Sequence, residues 1–339
     1  MVAQGYVATL SRVCMRLTRN ITENDAAPPP PPPITTRTAS VLLVLYALLY
    51  FLPFYASATT RPSPTLSRDA PSVIRARIRS VLTSCFLCLA FTAVILTKSS
   101  AAAASPSDVL HITGLWPPAL AASGRTTLLT ALLFLGPLFR SLVVDAGWRD
   151  WARLTPLRDL WAEWTIWRNI VAGPVTEELL FRSASVPLML VARTPVNKTI
   201  FLSPVIFGLA HVHHFYEFRL VNPRVPVAAA LLRSAFQLAY TTLFGAYATF
   251  LFLRSGSLLA VCVVHAFCNS MGLPKVWGRV RRNLPPRETE ASSPAAASDS
   301  LLWTVAYYTL LITGAVAWYK NLWTLTESGN ALVPPEAFA

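Results

Sequence analysis

Eight apolar segments constrain the fold of this chain more than any other feature of its sequence. A helix needs about 20 apolar residues to cross the hydrocarbon core of a bilayer. Segments of roughly this length lie at 41–57, 80–97, 126–144, 169–192, 200–215, 227–253, 256–272 and 301–319. The sequence therefore predicts an all-α, polytopic membrane protein with about eight transmembrane helices.

The composition supports a membrane protein and argues against a soluble one. Of the 339 residues, 54% are hydrophobic and only 13% are charged, whereas soluble domains contain about 25% charged residues. The net charge of +13 would suggest a nucleic-acid partner on a soluble chain. Here the basic residues cluster in short loops between apolar segments, so we expect membrane lipids around the chain and no nucleic acid.

The distribution of Lys and Arg predicts the orientation in the membrane. One set of alternate loops holds 16 of them, and the opposite side, with both tails, holds 10. Because the richer side is normally cytoplasmic, the following loops should face the cytosol: 58–79, 145–168, 216–226 and 273–300. Both tails would then face the lumen, where the sequon at Asn20 could be glycosylated.

The sequence divides into a membrane domain and two flanking tails. Residues 1–40 contain the run Pro28–Pro33 and form a disordered, Pro-rich N-terminal tail, without the apolar region of a signal peptide. Residues 41–320 form the integral membrane domain. Within it, residues 286–300 are rich in Ser, Ala and Pro, which predicts a flexible cytoplasmic linker. Residues 321–339 form a C-terminal tail.

The fourth apolar segment carries an unusual set of charges. Glu177, Glu178 and Arg182 lie close together in it, and each such group costs at least about 2.5–3.5 kcal/mol at membrane depth. Glu178 and Arg182 are four residues apart with the acid first, the favourable order for a helical ion pair. Glu177 points about 100° away, which leaves it free for chemistry unless all three groups form one buried ion cluster.

Two further apolar segments supply histidines and an asparagine. His211 lies one helical turn after Phe207, inside the fifth segment, and His265 lies one turn before Asn269 in the seventh. Polar side chains at this depth should face the interior of the helix bundle. Together with Glu177 they would line a polar intramembrane cavity and supply a base for water and donors for an oxyanion.

These three motifs, in this order, resemble the type II CaaX prenyl endopeptidases, the Ras-converting enzymes of the CPBP intramembrane protease family. The family pattern is E-E-x-x-x-R, F-x-x-x-H and H-x-x-x-N. This chain matches it at Glu177, Glu178, Arg182, Phe207, His211, His265 and Asn269. The resemblance covers residues 170–275 most strongly.

The resemblance implies an activity and a location. Family members remove the C-terminal tripeptide from proteins that carry a farnesyl or geranylgeranyl group on the CaaX cysteine, such as small GTPases. They are multi-pass proteins of the endoplasmic reticulum membrane, and their active site opens to the cytosol. This resemblance implies that Glu177 activates a water molecule together with His211. It also implies that His265 and Asn269 form the oxyanion site, and that Glu178 and Arg182, with Phe207 beside them, hold the geometry. No metal is required by this resemblance.

Two alternatives stay open from the residues themselves. Glu177, His211 and His265 could hold a catalytic zinc ion with one position free, which would make the chain a metalloprotease. The same polar cluster could instead serve a non-enzymatic transporter or scaffold as an ion site. Such transporters often contain matching broken helices in two halves, and no matching half is evident here.

Overall fold

A computed structural model describes residues 31–99, 105–282 and 294–338, which form helices and connecting loops without a β-strand. Residues 1–30 of the predicted tail and residues 286–293 of the predicted linker lie outside this part. The helices of the first half are α1 Thr36–Phe51, α2 Pro53–Ala56, α3 Pro71–Ser99, α4 Pro106–Ile112, α5 Leu120–Leu133, α6 Leu135–Phe139, the π-helical turn π1 Arg140–Val144, α7 Trp148–Ala152 and α8 Thr155–Ala162.

The second half contains the polar motifs. Its elements are α9 Trp164–Trp167, π2 Arg168–Ala172, α10 Gly173–Glu178, π3 Leu179–Ala184, α11 Val186–Val191, α12 Val196–Ala210, α13 His213–Val221, α14 Val227–Ser255, α15 Leu258–Met271, α16 Pro294–Leu325 and a final 3₁₀ turn Pro335–Phe338.

The helices confirm a polytopic all-α membrane protein but do not confirm the number of eight spans. In the described residues, four helical segments are long and apolar enough to cross a membrane: Thr36–Ala56, Pro71–Ser99, Val227–Ser255 and Leu301–Leu325. A fifth span is present if Leu120–Leu133 and Leu135–Val144 count as one, although they are bent by 81°. Pro137 lacks the N–H that would continue the helix here, which explains the bend.

The fourth predicted segment, 169–192, is a broken helix rather than a continuous one. The π-helical turns π2 and π3 flank the six-residue α10 that carries both glutamates. Pro174 and Pro187 follow these two turns and cannot donate a backbone hydrogen bond to them. Such π-helical turns occur often at functional sites, and here they widen the backbone on both sides of the glutamates.

The fifth predicted segment, 200–215, ends early. Helix α12 stops at Ala210, and α13 begins at His213. The side chains of His211 and His213 donate from Nδ1 to the carbonyl oxygens of Phe207 and Ala210, at 2.9 and 2.6 Å. These side chains supply the hydrogen bonds that the last carbonyl groups of a helix do not receive from backbone N–H groups.

The predicted domain boundaries need correction at both ends. Helix α1 begins at Thr36, inside the predicted tail 1–40, because the side chain of Thr35 caps it by accepting from the Thr38 amide. Helix α16 begins at Pro294, inside the predicted linker 286–300. It continues to Leu325, past the predicted start of the C-terminal tail.

The predicted C-terminal tail, 321–339, also packs on the core beyond α16. Leu332 and Val333 are each 2% exposed. The Leu332 amide donates to the carbonyl of Leu253 at 2.8 Å. This end of the chain is therefore part of the folded domain.

Helices α12 and α14 pack against each other along their length and place the motifs around one cavity. Gly208 and Gly245 lie at this contact, and a Cβ atom on Gly208 would clash with Oγ1 of Thr242. Small residues let membrane helices approach this closely. The large apolar side chains on the outer faces of α1, α3 and α16, such as Phe86 and Leu302, are exposed and suit contact with lipid.

Candidate active site

The predicted ion pair between Glu178 and Arg182 is present at the centre of the site. Nη1 of Arg182 donates to Oε1 of Glu178 at 3.0 Å, and the two side chains are 1% and 0% exposed. Nη2 of Arg182 also donates to the carbonyl oxygen of Gly245 on α14 at 3.2 Å. This ion pair joins α10 and π3 to α14, while Oε2 of Glu178 and Nε of Arg182 are buried without a hydrogen-bond partner in the described residues.

His265 connects this ion pair to the second glutamate. Its Nδ1 lies 2.7 Å from Oε1 of Glu178, and its Nε2 lies 3.9 Å from Oε2 of Glu177. Because an ionised carboxylate only accepts hydrogen bonds, Nδ1 carries the proton and donates to Glu178. This bond fixes the ring so that Nε2 faces Glu177.

Glu177 is the more accessible of the two acids. Its side chain is 22% exposed and lines both cavities of the site, whereas that of Glu178 lines neither in the described residues. The two neighbouring glutamates therefore occupy different environments. One is held in a buried ion pair, and the other meets the space that a substrate and water can enter.

His211 reaches the same space from the end of α12. Its Nδ1 donates to the carbonyl oxygen of Phe207, and its ring meets the Phe207 ring edge to face at 4.8 Å. When the ring is neutral, this bond leaves Nε2 as an acceptor that can bind water. The Phe207 ring also lies 4.8 Å from the guanidinium carbon of Arg182, so Phe207 supports both polar groups.

Asn269 lies at the open end of the site. Its Nδ2 donates to the backbone carbonyl of Asn169 at 2.9 Å, which ties α15 to π2 beside Glu177. Like Glu177 and His211, Asn269 lines both cavities. The structure thus brings all four predicted catalytic side chains to one region.

Two cavities meet at these residues. We call the larger one, of about 1000 Å³, the apolar cavity; beyond the shared polar groups it is lined by side chains that include Ile200, Phe244, Phe250, Trp318, Trp323 and Phe338. We call the smaller one, of about 190 Å³, the basic pocket; its walls include Arg68, Arg77 and Arg168. The site therefore offers two compartments of opposite chemical character.

A salt-bridge cluster supports the basic pocket. Glu217 of α13 pairs with Arg68 at 3.2 Å and Arg77 at 2.8 Å, and it accepts from Nδ1 of His214 at 3.0 Å. Burial alone would raise the pKa of Glu217, but the His214 hydrogen bond and the two arginines outweigh it and lower the pKa to about 2.

The residues proposed for zinc do not converge as a ligand set. In the part of the chain that the structure describes, the group whose ligand atoms all lie within 4.8 Å of one another is His213, His214 and Glu217, not Glu177, His211 and His265. The arginines that contact Glu217 disfavour a cation there as well.

Three contributors were not singled out from the sequence. Phe244 packs its ring 4.5 Å from that of His265, Asn169 accepts from Asn269, and His214 lines both cavities. Their signals were weak. Asn169 is one polar residue at the start of a predicted span, and His214 is one of three clustered histidines.

Comparisons with known proteins agree with the motifs. The family described as Type II CAAX prenyl endopeptidase Rce1-like matches residues 159–271. The chain is 35% identical over 285 residues to the probable CAAX prenyl protease 2 of Schizosaccharomyces pombe, covering 84% of this chain and 92% of the relative. It is 36% identical over 255 residues to CAAX prenyl protease 2 of Arabidopsis thaliana, covering 69% and 79%. No solved structure matches the chain.

The human relative extends this agreement. It is named CAAX prenyl protease 2 and is 37% identical over 228 residues, which cover 62% of this chain and 65% of the relative. These proteins are named as proteases. They support the enzymatic interpretation of the polar cluster over the transporter or scaffold.

Proposed function

The chain belongs to the family of type II CAAX prenyl endopeptidases, and from this membership and the site we propose how it cleaves prenylated CaaX proteins. One observation carries the proposal: Glu177 faces the cavities 3.9 Å from His265, while Glu178 is held by Arg182 and His265. The reaction is hydrolysis of the peptide bond after the prenylated cysteine, which releases the C-terminal tripeptide.

In the proposed first step, Glu177 acts as the general base. A water molecule bound between its carboxylate and Nε2 of His211 loses a proton to Glu177, and the water oxygen attacks the carbonyl carbon of the scissile bond. The Nδ1–H bond of His211 to Phe207 supports this role, because it leaves Nε2 as an acceptor. General-base catalysis of this kind contributes about 10²–10⁴-fold in rate.

His265 and Asn269 are proposed to stabilise the oxyanion. We propose that His265 enters and leaves the cycle as an imidazolium, with Nδ1–H held by Glu178 and Nε2–H directed at the negative oxygen, so it gains and loses no proton in the reaction. Asn269 contributes an amide N–H from the next turn of α15. Fixed donors aimed at a developing charge are usually the largest single contribution to catalysis.

Collapse of the tetrahedral intermediate completes the reaction. The carbon–nitrogen bond breaks, and Glu177 returns its proton to the departing amine of the tripeptide. The other product is the prenylcysteine carboxylic acid, which ionises to the carboxylate by giving its proton to the amine or to solvent. Glu177 ends as the carboxylate with which it began, so the cycle needs no redox partner or second substrate beyond water.

The apolar cavity is proposed to hold the prenyl chain. Its volume of about 1000 Å³ and its aromatic lining suit a farnesyl or geranylgeranyl group, whose burial contributes about 0.8 kcal/mol per CH₂. Small GTPases that carry such groups are the proposed protein substrates. The surrounding lipid gives the prenyl chain a route to the cavity within the membrane plane.

The proposed location is the endoplasmic reticulum membrane, with the site open to the cytosol. Its support is the clustering of three predicted cytoplasmic loops around the basic pocket. Arg68 of the first loop pairs with Glu217 of the third loop at 3.2 Å. Asp69 of the first loop pairs with Arg168 of the second loop at 2.7 Å. Ion pairs between these loops are consistent with one common side of the membrane.

The proposal is tested with a farnesylated CaaX peptide and membranes that contain wild type, Glu177→Ala or Glu163→Ala at matched expression. Glu163 is an exposed acid outside the site and serves as the control. We expect wild type and Glu163→Ala to release the tripeptide from the prenylated peptide only. Equal cleavage by Glu177→Ala would reject Glu177 as the base, and cleavage of the unprenylated peptide at the same rate would reject the role of the apolar cavity.

A further inference from the structure

The basic pocket brings three arginines to the neighbourhood of Glu177. Three arginines line it, Arg68, Arg77 and Arg168. In the described residues, Glu217 pairs with two of them and Asp69 with the third. Glu177 also lines this pocket, so the three arginines are balanced in number by three carboxylates, but none of the ion pairs of these arginines involves Glu177.

The three arginines differ in how fully their donors are used. Arg77 is 13% exposed; its Nε donates to the Thr60 carbonyl at 2.9 Å, and its Nη1 pairs with Glu217. Arg68 is 46% exposed, and among the described residues its side chain makes one hydrogen bond, from Nη1 to Glu217 at 3.2 Å. A guanidinium group has five N–H donors, so Arg68 keeps most of its donors for a ligand.

Arg168 stands beside Arg68 and retains donors as well. Its Nη1 pairs with Asp69 at 2.7 Å and approaches the backbone carbonyl of Arg68 at 3.4 Å. Its Nε donates to Oδ1 of Asn169. Nη2 is not used by any described hydrogen bond, so Arg68 and Arg168 together present several N–H groups at one wall of the pocket.

A prenylated CaaX substrate has two distinct ends on either side of the bond that is cut. The prenyl group is apolar, and the chain terminus, three residues beyond the cysteine, is a carboxylate. Three extended residues span about 10 Å. A pocket of about 190 Å³ has room for a single terminal residue, since a cavity of about 150 Å³ already accepts benzene.

We propose that the basic pocket binds the C-terminal carboxylate of the substrate, with Arg68 as the main ligand and Arg168 beside it. This inference rests on the proposed function. The carboxylate in the basic pocket and the prenyl chain in the apolar cavity place the scissile bond at Glu177, where the two cavities meet. Recognition of the free terminus fixes the cut three residues from the end and excludes internal cysteines.

The test compares two farnesylated peptides that differ only at the C-terminus, one a free acid and one an amide. Charge-assisted hydrogen bonds from arginine to a carboxylate are about twice as strong as neutral ones. We therefore expect wild type to prefer the free acid by at least about tenfold in kcat/KM, mainly through KM.

Arg68→Gln should reduce this preference to within about twofold, while Arg68→Lys should retain part of it. Arg61→Gln is the matched control, because Arg61 is exposed on the same loop and lines neither cavity in the described residues. The ratio of the two peptides within each preparation is independent of the amount of folded enzyme. If Arg68→Gln does not fold, Arg168→Gln provides the same comparison and should also lower the preference.

The outcomes separate this assignment from the proposed function. Equal cleavage of acid and amide by wild type would overturn the carboxylate site and leave the protease intact. So would an unchanged acid preference in Arg68→Gln and Arg168→Gln, which would make these arginines structural. Failure of wild type to cleave either peptide would overturn the proposed function and this assignment with it.

Discussion

Nδ1 of His265 lies 2.7 Å from Oε1 of Glu178, although 87 residues separate them in the sequence. This bond places a histidine between two glutamates, because Nε2 of the same ring faces Glu177 at 3.9 Å. Glu178 therefore serves two partners, Arg182 and His265. In the proposed mechanism, the second glutamate of the motif positions the groups that act, and the first acts on the water and substrate.

Replacement of each glutamate by glutamine should separate these roles. Glu177→Gln removes the base but keeps the shape of the side chain, so we expect kcat/KM to fall by at least about 10³-fold with unchanged thermal unfolding. Glu178→Gln leaves Arg182 buried without a counter-charge, which should destabilise the protein by about 3–5 kcal/mol.

The measurements are cleavage of a farnesylated peptide and thermal unfolding in detergent. Glu163→Gln, at an exposed position, controls for loss of a carboxylate as such. A Glu178→Gln protein as stable as wild type would contradict the structural role of that residue. If Glu177→Gln unfolded at a lower temperature than wild type, its loss of activity would reflect lost stability and would contradict the prediction for Glu177.

Gly245 should not tolerate even a methyl group. A Cβ atom there would lie 2.8 Å from Cβ of Pro204 and 3.3 Å from Nη2 of Arg182. We expect Gly245→Ala to separate α12 from α14 and to cost about 1–3 kcal/mol, with a loss of activity. Gly124→Ala is the control, because no atom lies within 4 Å of the new group and alanine favours a helix by about 0.5–1 kcal/mol.

Thermal unfolding of the two glycine variants, compared with wild type, decides this prediction. Equal midpoints for Gly245→Ala and Gly124→Ala would show that the contact between α12 and α14 can relax.

The sequence predicts contacts that lie within one helical turn and misses those that the fold creates. The Glu178–Arg182 pair follows from spacing alone, and its geometry in the structure agrees. The bond from His265 to Glu178 joins separate helices, so no local pattern indicates it. The bond from Asn269 to the backbone of Asn169 is invisible for the same reason, since any residue supplies a carbonyl.

Helix ends and spans show the same limit. Hydropathy locates the four helices that are long and apolar enough to cross a membrane. It does not indicate that Pro174 and Pro187 break the fourth predicted segment or that α12 ends before His211 in the fifth. These features depend on which backbone groups lose their partners. The predicted C-terminal tail, 321–339, carries no local pattern that indicates its packing on the core, where the Leu332 amide donates to the carbonyl of Leu253.

Chelators should not inhibit the enzyme. Glu177, His211 and His265 are not arranged as a converging ligand set, so we expect cleavage of the farnesylated peptide to stay within about twofold of its untreated rate after treatment of purified protein with EDTA or 1,10-phenanthroline. A bound zinc ion would be indispensable at such a site. Loss of activity that added Zn²⁺ restores would support the metalloprotease instead.

The orientation can be tested by glycosylation. With a luminal N-terminus, Asn20 should carry an N-linked glycan, and Asn20→Gln should abolish the corresponding mobility shift. Arg153→Asn creates a sequon with Thr155 in the predicted cytoplasmic loop 145–168, and we expect it to remain unmodified. A glycan at position 153 but not at Asn20 would invert the assignment.

The free energy of unfolding should depend on pH through the ionisation of Glu217. Its pKa in the folded protein is lowered to about 2 from an ordinary value of 4.5, so its ion pairs stabilise the fold fully above about pH 4.5. This contribution, about 3 kcal/mol, is lost as the pH falls toward 2 and the carboxylate is protonated. Glu217→Gln lacks it at every pH. The difference in unfolding free energy between wild type and Glu217→Gln should therefore shrink between pH 4.5 and pH 2, and a constant difference would show that Arg68, Arg77 and His214 do not stabilise the charged carboxylate.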